Sequence, residues 1–149
     1  MLYFAYGSNM SEDQMRARCS RPRFAGLGSI PGQAFIINSR GCANIIPDER
    51  RTVHGVFWEL EGADLQKLDL YEGTAFGCYE RKRLRFAALD GSRHAAQVYV
   101  SPDRSTGVPG RAYLATILKG GRSRGLPANY LRRIAKTWSF QRIPSSARA

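Results

Sequence analysis

Leu2-Tyr3-Phe4-Ala5-Tyr6-Gly7-Ser8-Asn9 sets a local geometry that the rest of the chain has to accommodate. Residues 2–6 are an apolar and aromatic run of the kind that forms a buried strand. Gly7, Ser8 and Asn9 then break the run: Gly permits positive φ, and Ser and Asn bond neighbouring backbone. Ser11-Glu12-Asp13-Gln14 follows as an S-x-x-Q capping pattern, so a helix is expected from there through Arg18. Strand, tight loop and helix in this order can direct free backbone N–H groups at one point, where a carboxylate or a developing oxyanion could sit. On local chemistry alone the unit reads first as an ordinary strand-to-helix turn.

A chain of 149 residues can bury one sound core, and one domain over 1–149 is the expectation. With 43% hydrophobic and 11% aromatic residues it belongs with globular chains and not with disordered ones. No apolar run approaches a membrane span, and no basic-then-apolar leader precedes the first strand, so a cytoplasmic protein is expected. Cys19, Cys42 and Cys78 form no CxxC pair and have no His at ligand spacing, which indicates reduced thiols and neither a disulfide framework nor a zinc site.

The net charge of +11 bears on partners. No acidic residue follows Asp103, while ten Lys and Arg residues do. Such a tail fits a solvated surface or attraction to polyanions. Nucleic-acid recognition would call for interleaved aromatics or a known module, and neither is present, so a nucleic-acid partner is not expected.

Further along, 24–30 and 33–38 read as two short strands around Pro31-Gly32. Gly26-Leu27-Gly28 is no dinucleotide fingerprint, because Pro31 occupies the third glycine position. A charged loop is expected over 48–51 and a strand over 53–60. His54, a lone histidine without a nucleophile nearby, reads as structural or surface. Residues 63–71 carry Leu65, Leu68 and Tyr71 at helical spacing, with Asp64, Lys67 and Asp69 on other faces, and Gly73 is placed to end that helix. Residues 74–78 read as a loop. The alternation over 79–89, the Asp90-Gly91 turn and the return over 94–100 predict a hairpin, with His94 facing solvent. A loop over 102–110, a helix over 111–119, a flexible basic loop over 120–125 and a last helix after Pro127 complete the chain, with a frayed tail from Arg142. The loop over 120–125 lacks P-loop spacing, and no G-x-S-x-G elbow occurs anywhere.

Two motifs converge. Tyr6-Gly7-Ser8-Asn9-Met10 resembles the N-terminal signature of the gamma-glutamylcyclotransferase-like family. Leu68-Asp69-Leu70-Tyr71-Glu72-Gly73, with Gly77-Cys78-Tyr79 after it, resembles the segment that carries that family's catalytic glutamate. Weaker matches follow in order: Val53 to Trp58, Gln97-Val98-Tyr99, Tyr113, and Gly125-Leu126-Pro127 leading to Tyr130. The resemblance runs from residue 2 to about the last helix.

The resemblance implies an α+β fold, a small mixed β-barrel surrounded by α-helices. It implies release of 5-oxoproline from a γ-glutamyl peptide or amine, the substrate's own α-amine attacking its γ-carbonyl carbon. Because that attack is intramolecular, the protein need only fix a reactive rotamer and manage protons and charge. Glu72 is the implied general acid/base; without the resemblance it would read as a solvated helix-end carboxylate. The N–H groups of Gly7, Ser8 and Asn9 suit anion contacts, and Tyr6, Tyr79, Tyr99 and Tyr113 are candidates for the wall around the glutamyl methylenes. No metal or organic cofactor is implied. The loops expected over 38–51 and 101–110 are the regions implied to read the leaving portion. A polyanion- or metabolite-binding domain without turnover on the same fold is the alternative.

Overall fold

The computed structural model describes residues 1–139, so the tail from Arg142 lies outside the described residues. The order is β1 (Leu2–Ala5), α1 (Glu12–Arg18), β2 (Arg23–Ile37), β3 (Ala43–Glu59), α2 (Gly62–Glu72), β4 (Glu80–Ala88), β5 (Arg93–Val100), α3 (Arg111–Arg124) and α4 (Ala128–Ser139). The strands close into a barrel in the order β1-β3-β2-β4-β5. β1 pairs parallel with β5 and the remaining pairs are antiparallel, so the barrel is mixed, as expected.

Aromatic rings fill its interior. Phe4 stacks on Phe86 at 4.2 Å between ring centres and meets Phe57 edge-on at 5.6 Å. Glycines make room for them: a Cβ on Gly28 would stand 2.5 Å from the Phe57 ring, and one on Gly55 would stand 2.3 Å from the Ala5 carbonyl oxygen. On the outer face Trp58 is buried and donates from Nε1 to the Asn9 carbonyl at 2.9 Å, pinning the N-terminal loop to the barrel wall. His54 shares that outer face and packs against the Tyr130 ring of α4 at 4.8 Å, a structural role.

Several expectations are revised by long-range pairing. The two strands around Pro31-Gly32 are one strand, β2, and the charged stretch 48–51 lies within β3. The break survives as a bulge: Pro31 faces Thr52 and Gln33 faces Pro47, so residues 48–51 stand opposite Gly32. The connection between these strands is therefore the tight turn at 38–42 and not a loop over 38–51. Residues 74–76 form a 3-10 turn inside the expected loop.

The basic loop expected over 120–125 is instead the last part of α3, which ends at Gly125 with φ of +87°. Gly120 and Gly121 have poor helix propensity, but they are buried where α3 meets the N-terminal loop. A Cβ on Gly120 would stand 2.8 Å from the Ser11 backbone nitrogen, so only glycine lets the helix approach this closely.

In α2, Leu65 and Leu68 are buried as the spacing implied. Tyr71 is 59% exposed and Asp64 is buried, against expectation. Asp64 Oδ1 accepts from the Ser20 N–H at 2.9 Å and lies 3.6 Å from Lys67 Nζ, which explains a carboxylate in that position. Among the described residues no helix is long and apolar enough to cross a membrane.

Candidate active site

The N-terminal loop, the end of α2 and the 38–42 turn meet around a cavity of about 310 Å³. Glu72 is the last residue of α2, and Gly73 ends the helix in the left-handed region with φ of +66°. Gly73 N–H donates back to the Asp69 and Leu70 carbonyls. A Cβ at Gly73 would lie 3.1 Å from Cys78 Sγ, so the glycine both stops the helix and brings the following loop in close. Asp69, one turn earlier, accepts from Tyr99 OH at 2.7 Å and pairs with Arg81 at 2.9 Å. These contacts clamp α2 onto the outer face of β4 and β5 and so fix where Glu72 stands.

Burial raises the Glu72 carboxyl above its ordinary value, and the Arg18 guanidinium acts in the opposite sense. Its Oε1 lies 3.4 Å from Asn9 Nδ2. On the N-terminal side, Gly7 follows β1 and precedes a single 3-10 turn over residues 8–10. The first N–H groups of such a turn have no partner within it. Ser11 caps α1, accepting from the Gln14 N–H at 3.2 Å, so half of the expected capping box forms. The other half does not, because the Gln14 side chain donates to Ser8 Oγ at 2.6 Å and to Asn9 Oδ1 at 2.8 Å instead.

All eight expected site residues line this one cavity: Glu72 with Tyr6, Gly7, Ser8, Asn9, Tyr79, Tyr99 and Tyr113. Their hydroxyl groups differ in what they can still do. Tyr6 donates to the Tyr99 carbonyl, Tyr99 to Asp69, and Tyr79 to the Ala43 carbonyl. Tyr113 accepts from the Ala43 N–H at 2.9 Å, which leaves its own hydroxyl hydrogen to donate. Burial pushes its ionisation up to about 12 and raises that of Tyr79 as well, so both remain neutral phenols.

Arg40 and Cys42, within the 38–51 stretch implied to read the leaving portion, also line the cavity, as do Tyr3, Arg18 and Cys78, which carry no site assignment from the sequence. Tyr3 OH accepts from Asn9 Nδ2 at 2.9 Å and keeps its own hydrogen. Arg40, on the 38–42 turn, donates to Cys78 Sγ at 3.1 Å. That turn is held firmly: Asn38 Oδ1 accepts from the Arg40 and Cys42 N–H groups, and buried Asn44 bonds the Ser101 and Asp103 carbonyls. The three cysteines are free thiols.

A cavity lined by one half-buried carboxyl group, phenol hydroxyls and a turn of backbone N–H groups has the size and polarity to take a small polar molecule. Comparison with known proteins gives the class a family. The chain belongs to the family described as gamma-glutamyl cyclotransferase, AIG2-like, whose model matches residues 3–116. It is similar to human gamma-glutamylcyclotransferase, with 27% identity over 139 residues that cover 87% of this chain and 74% of that protein. A solved structure described as gamma-glutamyl cyclotransferase superposes with a TM-score of 0.85 at 25% identity, covering 90% of this chain and 85% of that chain. A crystal structure of an uncharacterized human protein gives a TM-score of 0.84 at 26% identity, covering 89% and 85%.

Proposed function

We propose that this protein releases 5-oxoproline from a γ-glutamyl compound by cyclising its glutamyl portion, with Glu72 as the proton carrier. The observation that carries the reading is the meeting of Glu72 with the Gly7-Ser8-Asn9 turn in one cavity. Family membership supports the reaction class.

The steps follow from the groups present. The substrate's α-ammonium loses a proton to the Glu72 carboxylate, and the resulting amine attacks the γ-carbonyl carbon. A C–N bond forms, the ring closes, and negative charge appears on the former carbonyl oxygen. Backbone N–H groups of the 7–9 turn, with the hydroxyl hydrogens of Tyr3 and Tyr113, are the donors available to that oxygen and to the substrate's α-carboxylate. Collapse breaks the original amide bond as Glu72 returns its proton to the leaving nitrogen, and the ring nitrogen then gives its second proton to the freed carboxylate, leaving the neutral lactam and a protonatable amine. A carboxyl group raised by burial suits both duties, since its proton affinity approaches that of the groups it serves. The aromatic walls restrict rotation of the glutamyl methylenes, which favours the five-membered closure.

The test is a panel of γ-glutamyl peptides and amines incubated with the purified protein, with 5-oxoproline as the readout. Release from at least one member supports the proposal. Thermal protection by a panel member without product would favour binding without turnover.

A further inference from the structure

Resting on the reading of Glu72 as proton carrier, we propose that Arg18 and Gln14 are positioning residues that lock the Asn9 side chain with its amide N–H groups, and not its oxygen, toward Glu72. The two ends of an amide are nearly the same size, so partners decide its direction. Asn9 is 4% exposed and therefore takes its partners from the protein. Arg18 can only donate, and its Nη1 lies 3.0 Å from Asn9 Oδ1. Gln14 Nε2 points at the same oxygen from 2.8 Å and spends its second hydrogen on Ser8 Oγ. Two donors on one oxygen leave Nδ2 facing Tyr3 OH at 2.9 Å and Glu72 Oε1 at 3.4 Å. The reversed amide would set oxygen against carboxylate at one end and N–H against guanidinium at the other. The main chain cannot swing away to relieve this, because Trp58 holds the Asn9 carbonyl.

The consequence is directional. Glu72 faces a donor, which favours its carboxylate form and readies it to accept a proton. Arg18 reinforces this through its charge, and its guanidinium also lies over the ring of Tyr71, the residue before Glu72, at 4.6 Å. Tyr3 and Tyr6 on and after β1, Cys42 on the turn, Tyr79 before β4 and Tyr113 on α3 face the same carboxyl, and burial keeps all five neutral. Arg40 lines the cavity from the turn and is the second cation there.

The experiment is the pH dependence of kcat/KM for 5-oxoproline release by wild type, Arg18→Gln, Arg18→Lys and Gln14→Met, with folding checked by thermal melting. Arg18→Gln is expected to lose roughly 10-fold or more, the scale of one charge-assisted hydrogen bond, mostly in kcat. Its acid limb moves to higher pH, because the carboxylate loses a favourable charge and its fixed donor. Gln14→Met removes no charge and is expected to move the limb the same way by less, which isolates the amide lock. Arg18→Lys recovers most of the rate and the limb. Unmoved limbs in Arg18→Gln and Gln14→Met overturn the proposal, even if both variants lose stability. Should Arg18→Gln not fold, Gln14→Met decides. An active Glu72→Gln would instead remove the underlying reading, so the two failures are distinguishable.

Discussion

Glu72 Oε1 and Asn9 Nδ2 stand 3.4 Å apart across 63 residues of chain, joining the end of α2 to the turn after β1. Neither element alone is unusual. Their meeting creates a half-buried carboxyl group beside donors, and its partial removal from water has a thermodynamic cost.

That cost is measurable. The Glu72 carboxyl is raised above its ordinary value of 4.5, mainly by burial. Below pH 4.5 the group is protonated whether the chain is folded or not, and it contributes no difference. As pH rises from there through the folded-state value, the unfolded chain gives up the proton more readily, so stability falls. Glu72→Gln lacks this penalty. Its melting temperature is expected to match wild type in acid and to exceed it increasingly toward neutral pH. Melting curves across that range check this, and a constant offset contradicts it.

Tyr113 and Tyr79 hold opposite sides of one peptide unit, the Ala43 N–H and the Ala43 carbonyl. Tyr113→Phe leaves a part-buried N–H without its acceptor and is expected to cost about 1–3 kcal/mol. Chemical denaturation measures the loss. The double substitution with Tyr79→Phe should cost less than the sum of the two single losses, because both act on Ala43.

Gly120→Ala places a methyl group 2.8 Å from the Ser11 nitrogen, and backbone cannot step aside as a side chain would. A loss of about 1–3 kcal/mol is expected. Activity should fall further than stability alone explains, since α3 would push on the loop that carries Ser8 and Asn9. The comparison of kcat with the folded fraction at the same temperature checks this. Gly62→Ala is the control, because no atom lies within 4 Å of its added carbon.

Asp103 accepts from Ser105 and Ser39, whose hydroxyl groups hold its carboxyl down at about 2. A depressed carboxyl stabilises the folded chain above its unfolded value of 3.8, and that contribution is lost as pH falls from there toward about 2. The tie between the 38–42 turn and the segment after β5 should loosen in that window. Hydrogen exchange of the Ser39 amide, which also donates to Asp103, is the readout, and Asp103→Asn should show the looser state at neutral pH.

Much of the architecture was legible because local signals agreed with long-range pairing. The Ser11 cap, the Gly73 stop, the Asp90-Gly91 hairpin turn and the last helix after Pro127 all behave as their residues suggest. Tyr3 escaped notice because Tyr3, Phe4, Ala5 and Tyr6 are all buried, so alternation in β1 carried no information about faces. Gln14 and Arg18 carry no local signal of a site, and the capping pattern gives Gln14 a local duty that its side chain does not perform. Arg40 and Cys42 reach the cavity because β2 and β3 are long paired strands with a tight turn, whereas Pro31-Gly32 and the charges at 48–51 suggested shorter pieces. Gly120 and Gly121 favour a loop by their composition, and close packing of α3 on the N-terminal loop overrides that preference.

The most direct test compares 5-oxoproline release by wild type and Glu72→Gln on a γ-glutamyl compound that wild type turns over, with folding verified for both. A loss of roughly 10²–10⁴-fold in kcat, with substrate still protecting the variant from thermal unfolding, is the predicted result. Turnover by Glu72→Gln at the wild-type rate would contradict the proton-carrier role outright.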